Sequence, residues 1–256
     1  MSPALELNGA SVTLGGRAVL ADVSLSVSAG EVVGVVGANG AGKTTLLRAA
    51  LGLARLAAGS ARLSGREVDG LSEIARAGLA GYLPQERRAA WNMPAWRIAA
   101  LGAPHRPPAE AHRRALAALA DMGVEDLAER GVRDMSGGER AKVLIARLIV
   151  TGAPLLVADE PAAGLDPSAA LKVMEALKTR ARAGAAVVAT LHDLTLAARD
   201  CDRLAVMSAG RLVALGPPLE ALSPAVLAEA FDLDGEWVAT PTGPVLAARR
   251  LAQGLP

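Results

Sequence analysis

Residues 34–52 read GVVGANGAGKTTLLRAALG. An apolar run with no polar alternation breaks into glycines and a lysine, then resumes as a leucine-rich segment. The run Glu31–Gly37, EVVGVVG, reads as a strand buried on both faces. The segment from about Lys43 to Leu51 reads as a helix. Between them, Gly37-Ala38-Asn39-Gly40-Ala41-Gly42-Lys43-Thr44 has the G-x-x-x-x-G-K-[ST] spacing in its required strand–loop–helix context. The glycines let successive backbone N–H groups turn toward one centre. The helix that follows adds unpaired N–H groups and the positive end of its dipole. Lys43 supplies a point charge for terminal phosphates. Thr44 offers a hydroxyl to magnesium, which prefers oxygen ligands. The loop therefore points to a nucleoside triphosphate, against the plainer reading of a Gly-rich turn.

Kinases, GTPases and motor ATPases share such a loop, and a second segment narrows the choice. LLVADEP (155–161) is an apolar strand ending in two acids. An Asp at the carboxyl end of a strand beside a phosphate loop can hold magnesium or its water shell, so Asp159 is a candidate metal ligand. In an extended chain Glu160 points the other way, free to polarise an attacking water. The plain alternative is a strand that stops at two solvated acids.

Outward from these segments, 4–36 is short and alternating: LEL, VTL and VSLSV read as strands joined by turns, antiparallel at first. SARLSG and LAGYLPQ read as further strands, the latter ending at Pro84. From about Glu86 to Asp134 the chain changes character, with Trp91, Trp96, several prolines and PPAEAHRRALAALADMG. Prolines before and Gly123 after bracket a helix there, with Glu110 near its start. This middle reads as a helical insertion. Strand and helix then alternate through LLVAD, PSAALKVMEALKTRAR, AAVVATL, TLAARD and RLAVM, the pattern of crossover connections and a parallel sheet. The tail from Pro217 carries one helical signal, SPAVLAEAF, and a final hairpin.

Composition bounds the partners. The 256 residues are 52% hydrophobic but only 2% aromatic, so the core is built from Ala, Val, Leu and Ile. The net charge of +1 argues for no nucleic acid partner. The one cysteine, Cys201, allows no internal disulfide and reads as a small packing residue. The N-terminus has neither a basic start nor an apolar signal core. No apolar stretch approaches the ~20 residues of a spanning helix; VLIARLIV carries Arg147 in its middle. A chain of this kind is expected to reach a membrane only through a partner.

Taken together in order, the phosphate loop, LPQ (83–85), MSGGER (135–140), LLVADEP, GLDP (164–167) and TLHD (190–193) make the chain, from Leu5 to about Pro218, resemble the ATP-binding-cassette ATPases. The resemblance implies an α/β P-loop NTPase with a mostly parallel sheet, an N-terminal antiparallel β subdomain and a helical subdomain at about 86–150. Residues 1–218 would form the ATPase domain, and 219–256 a C-terminal extension packed on the core. ATP and Mg2+ are the implied cofactors. ATP would be bound by Gly37, Asn39, Gly40, Ala41, Gly42, Lys43, Thr44 and Thr45. Two copies would face head to tail, and Ser136, Gly137, Gly138 and Glu139 of one would close over the ATP held by the other. SGG opens an apolar helix, so a second helix N-terminus would aim at the anion. Glu160 would be the catalytic base, His192 a γ-phosphate switch and Lys43 the charge that completes the catalytic set. Thr44, Gln85 and Asp159 would hold the metal, and Asp166 would lie at the dimer seam. Singly, Gln85 also reads as a loop amide, His192 as a strand-end histidine and Asp166 as a helix cap.

The chain departs from the family pattern in three places. Leu14 stands where an adenine-stacking aromatic is usual, Met135 replaces the usual Leu, and Ala141-Lys142 stands where Gln-Arg is common. A single cassette without a span implies separate transmembrane permease subunits and places the chain at the cytoplasmic face of the inner membrane. TLHDLTLAARDCDRLAVMSAGRLVALGPP followed by EALSPAVLAEAF resembles the importers of iron–siderophores, haem or cobalamin, which work with a periplasmic or lipoprotein substrate-binding protein. An exporter subunit, a repair or translation cassette and a phosphotransferase are the alternatives. Trp91 and Trp96 are candidates to line the groove that receives a cytoplasmic helix of the permease, or else to pack inside the insertion.

Overall fold

The computed structural model describes residues 2–86 and 92–251. The chain begins with β1 (Leu5–Leu14) and β2 (Arg17–Val27), then β3 (Val32–Gly37), α1 (Lys43–Ala50), β4 (Ala58–Leu63) and the two-residue β5 (Arg66–Glu67). A short helix α2 (Glu73–Leu79) leads into β6 (Ala80–Leu83). The helices α3 (Ala95–Ala100), α4 (Pro108–Asp121) and α5 (Gly137–Val150) make up the insertion. Then β7 (Leu155–Ala158), α6 (Pro167–Arg182), β8 (Ala186–Thr190), α7 (Leu194–Asp200) and β9 (Arg203–Ser208) alternate. The C-terminal part holds β10 (Arg211–Gly216), α8 (Pro218–Ala221), α9 (Pro224–Phe231) and the hairpin β11 (Leu233–Thr240) and β12 (Gly243–Arg250).

Six strands form the central sheet in the order β10-β9-β3-β8-β7-β6. All neighbours are parallel except β10, which runs antiparallel to β9. The strand that feeds the phosphate loop, β3, therefore lies between β8 and β9. The apolar runs read as strands buried on both faces do divide by period two. Val32 and Val36 face one hydrophobic core with Leu156, Ala158, Val187 and Ala189. Val33 and Val35 face the other with Leu155, Val157, Ala186 and Val188. The first core is shared with the helical insertion, α6 and α7. The second is shared with α1 and an antiparallel sheet in the order β2-β1-β4-β5.

Several details differ from the sequence reading. LEL and VTL are one strand of ten residues, not two short ones, because the chain bulges at Gly9, whose φ is +58°, and continues. The helices α2, α3 and α8 and the edge strand β10 are additional elements. α2 has no buried residue, so it has no apolar face to read, and Ser72 caps it by accepting from Ala75 N–H at 3.3 Å. Among the described residues no helix is long and apolar enough to cross a membrane.

Candidate functional site

The loop from Gly37 to Lys43 is fixed by its packing. A Cβ on Gly37, at φ +153°, would collide with the Met207 carbonyl. One on Gly42, at φ +100°, would come within 2.9 Å of Leu20 Cδ2 and 3.0 Å of the Val19 carbonyl. Both positions need glycine for their conformation and for the close approach of a neighbouring strand. Ala41 is buried, and its carbonyl accepts from Gly210 N–H at 3.1 Å, while Ala38, Asn39 and Gly40 form an exposed rim. The first bond of α1 runs from Leu46 N–H to the Gly42 carbonyl at 2.8 Å. The N–H groups of Lys43, Thr44 and Thr45 therefore have no partner within the helix, and no acid lies in its first turn. Those open donors are the physical basis of an anion site. Lys43 is 7% exposed, with Nζ donating to the carbonyls of Gly37 at 2.7 Å and Ala38 at 3.1 Å. Burial pushes its ammonium below the ordinary lysine value, and the nearby Glu160 and Asp159 carboxylates oppose that in part.

β6, β7 and β8 end side by side and bring the acids to this loop. Asp159 N–H donates to the Leu83 carbonyl at 2.8 Å, extending the β6–β7 ladder by one bond. Thr190, fully buried at the end of β8, is the hub that sequence reading missed. Its hydroxyl donates to Asp159 Oδ1 at 2.7 Å and accepts from Glu160 N–H at 2.7 Å. One polar residue closing the apolar strand AVVAT was the available signal. Asp159 is 1% exposed, and its Oδ2 has no hydrogen-bond partner among the described residues. A buried carboxylate oxygen is costly unless something positive meets it, so the site fits a cation. Among the described residues no group of three His, Cys, Asp or Glu could hold a metal alone. A cation at Asp159 would draw its other ligands from a hydroxyl such as Thr44, from water and from phosphate oxygens.

Glu160 departs from the expected geometry. It is not extended but has φ +53°, so the two acids diverge because the backbone turns left-handed, not because a strand alternates. That unfavourable conformation in a non-glycine residue is held by its surroundings. Glu160 Oε1 accepts from Gln85 Nε2 at 2.8 Å and lies 2.7 Å from His192 Nε2. Gln85, just after β6, and His192, just after β8, thus converge on one carboxylate. Gln85 was expected beside the metal; here its nitrogen is on Glu160, and its amide oxygen is the atom that could ligand a cation.

The MSGGER segment lies at the start of α5. Ser136 accepts from Glu139 N–H at 3.2 Å, and Glu139 Oε2 accepts from Ser136 N–H at 2.8 Å, a complete capping box. Those bonds to Ser136 hold the Glu139 carboxyl below its ordinary value. Gly137 and Gly138 form the first turn, and a Cβ on Gly138 would sit 3.7 Å from Leu165. Asp166 caps α6, accepting from Ala169 N–H at 2.9 Å. Trp96 packs inside the insertion. Its ring meets His112 edge-on at 4.5 Å, and its Nε1 donates to Glu129 at 3.2 Å. Trp91 lies outside the described residues. Leu14, 52% exposed, stands opposite Arg17 at the β1–β2 turn. Cys201 is buried, and its thiol is pushed up to about 12, consistent with a packing role.

A glycine-rich loop between β3 and a helix, with two acids at the end of β7 on the far side of β8, defines a P-loop nucleoside triphosphatase. Residues 20–163 match the profile of the ABC transporter family. The chain belongs to that family and is one of its ATP-binding cassettes. It is 39% identical over 251 residues to the hemin import ATP-binding protein HmuV of Myxococcus xanthus, covering 94% of each chain. It is 41% identical to HmuV of Streptomyces coelicolor, covering 88% of this chain and 81% of that one. The cobalamin import ATP-binding protein BtuD of Halobacterium salinarum is 39% identical over 89% of this chain, which spans 58% of that relative's length. Among solved structures, an ATP-binding subunit of an ABC transporter superposes with a TM-score of 0.77 at 29% identity, covering 84% of this chain and 90% of that one. A structure described as a metal-chelate type ABC transporter gives a TM-score of 0.81 over 97% of both chains at 21% identity, which shows the shared fold.

Proposed function

We propose that this chain hydrolyses ATP to drive import of a metal chelate, hemin or cobalamin in class, through separate permease subunits at the cytoplasmic face of the membrane. The observation that carries the reading is the full-length likeness to a hemin import ATP-binding protein, 94% of each chain. The loop N–H groups and Lys43 bind the phosphates, with Gly37, Asn39, Gly40, Ala41, Gly42, Thr44 and Thr45 forming the cradle. Asp159 and Thr44, with Gln85 beside them, would hold Mg2+, which would neutralise charge on the phosphate oxygens. Glu160 accepts the proton of the attacking water, and His192, already on the same carboxylate oxygen, orients it. Ser136, Gly137, Gly138 and Glu139 of a second copy complete the site, with Asp166 at the seam between copies. Residues 1–218 form the ATPase domain, with the helical subdomain at about 86–150, and 219–256 form an extension on it.

The permease contact is best supported at a groove of about 650 Å³ between α2 and α5. Ile74 and Leu101 line it and are 70% and 53% exposed. Substrate delivery falls to a periplasmic or lipoprotein binding protein that this chain never touches. Uptake of labelled hemin and labelled cobalamin by cells lacking the chain tests the reading. Loss of one, restored by the parent chain and not by Lys43→Ala, names the cargo. Normal uptake of both overturns it.

A further inference from the structure

The C-terminal hairpin grips α7 at both ends. Leu246 N–H, on the edge of β12 away from β11, donates to Thr195 Oγ1 at 3.3 Å. At the hairpin turn, a Cβ on Gly243 would stand 3.2 Å from both Cγ and Nε of Arg199, so the turn lies directly on that side chain. The other strand is tied down by Trp237 Nε1, which donates to the Leu222 carbonyl at 3.0 Å. Trp237 and Leu246 pack against the same core as Leu194, Leu196 and Ala197 of α7. Upstream, α7 is capped by Asp193, which accepts from Leu196 N–H at 2.9 Å, and His192 directly precedes the cap. Thr195 and Arg199 also share one cavity of about 340 Å³ with Glu160 and His192. A continuous packed path therefore runs from the hairpin through α7 to the imidazole on Glu160.

We propose that the β11–β12 hairpin sets the position of His192 through α7, and that Thr195 is a positioning residue for ATP hydrolysis. The proposal rests on the assignment of Glu160 and His192 given above. α7 is only seven residues long and is too short to hold its own place without lateral packing. A shift of its first turn carries His192 away from Glu160.

The test is steady-state hydrolysis by the full chain carrying Thr195→Val, Thr195→Ser, His192→Ala or His192→Ala with Thr195→Val. Val matches the shape of Thr and lacks the acceptor. Thr195→Val is expected to lower kcat by about fivefold, the worth of one hydrogen bond, with KM for ATP unchanged. Thr195→Ser restores kcat. In the His192→Ala background Thr195→Val has no further effect, because the group it positions is gone. The NMR chemical shifts of the His192 ring protons at fixed pH should move in Thr195→Val and not in Thr195→Ser. Parental kcat and unmoved His192 ring shifts in Thr195→Val overturn the proposal. So does an undiminished loss in the His192→Ala background. If His192→Ala itself hydrolyses ATP like the parent, the assignment of His192 fails and the proposal with it. If His192→Ala is impaired while Thr195→Val is not, the proposal alone fails.

Discussion

At the scale of single residues, Lys43 shows the conflict between burial and charge most directly. Burial lowers its value below the 10.5 of a free lysine. Because the folded value lies below the unfolded one, the cost of burying the charge is present at low pH and is relieved as pH rises through the folded value. The same proton attracts phosphate. As the pH is raised toward the ordinary lysine value of 10.5, ATP affinity of the nucleotide-free chain is therefore expected to fall earlier than an ordinary lysine would titrate. Binding of a fluorescent ATP analogue across that range checks this; affinity that stays flat throughout would show that Lys43 keeps its proton. Residues differ in how legible they are for physical reasons. The phosphate loop is legible because its requirements are local: glycines where the backbone turns or a strand crowds it, then Lys43 at fixed spacing. Thr190 is not, because its role depends on Asp159 and Glu160 arriving from another strand. Nor is the left-handed conformation of Glu160, which nothing in DEP encodes.

At the scale of elements, α5 carries two demands at its first turn. Ser136 begins the helix through its capping box, and its hydroxyl is proposed to meet the phosphate of a second copy. The two roles are separable. Ser136→Ala should lose about 1 kcal/mol of stability, lowering Tm by about 2–4 °C for a chain of this size. Ser136→Asp should keep Tm near that of the parent, since Asp caps as well as Ser, yet abolish hydrolysis by placing a negative charge against phosphate. Thermal melts and ATPase rates on both variants check this. Full activity in Ser136→Asp would remove Ser136 from the phosphate site. Element legibility follows the same logic as residue legibility. α4 and α6 were readable because each buries an apolar stripe and starts at a proline. α2 was not, because it buries nothing.

At the scale of the whole molecule, the proposed site takes two copies of the chain. Lys43, Asp159, Glu160 and His192 converge at the ends of the parallel strands. Ser136 opens a helix of the insertion and is bonded to Glu139 instead. A second copy placed head to tail would supply the missing helix N-terminus, with ATP as the joint. Hydrolysis would then remove the γ-phosphate held by both copies, and the joint would open. Glu160→Gln is expected to bind ATP and to slow hydrolysis by about a hundredfold or more, as loss of a positioned base does. It should run as a dimer on size exclusion with ATP and Mg2+ and as a monomer with ADP. Gln is close to Glu in size and can still meet Gln85 and His192, so the change removes the base without emptying the site. Adding Ser136→Asp to Glu160→Gln should return the chain to monomer even with ATP, because each ATP then faces a negative charge at the start of the partner copy's α5. A Glu160→Gln chain that turns ATP over at the parental rate would take the base away from Glu160. A double variant that still dimerised would take the phosphate contact away from the start of α5.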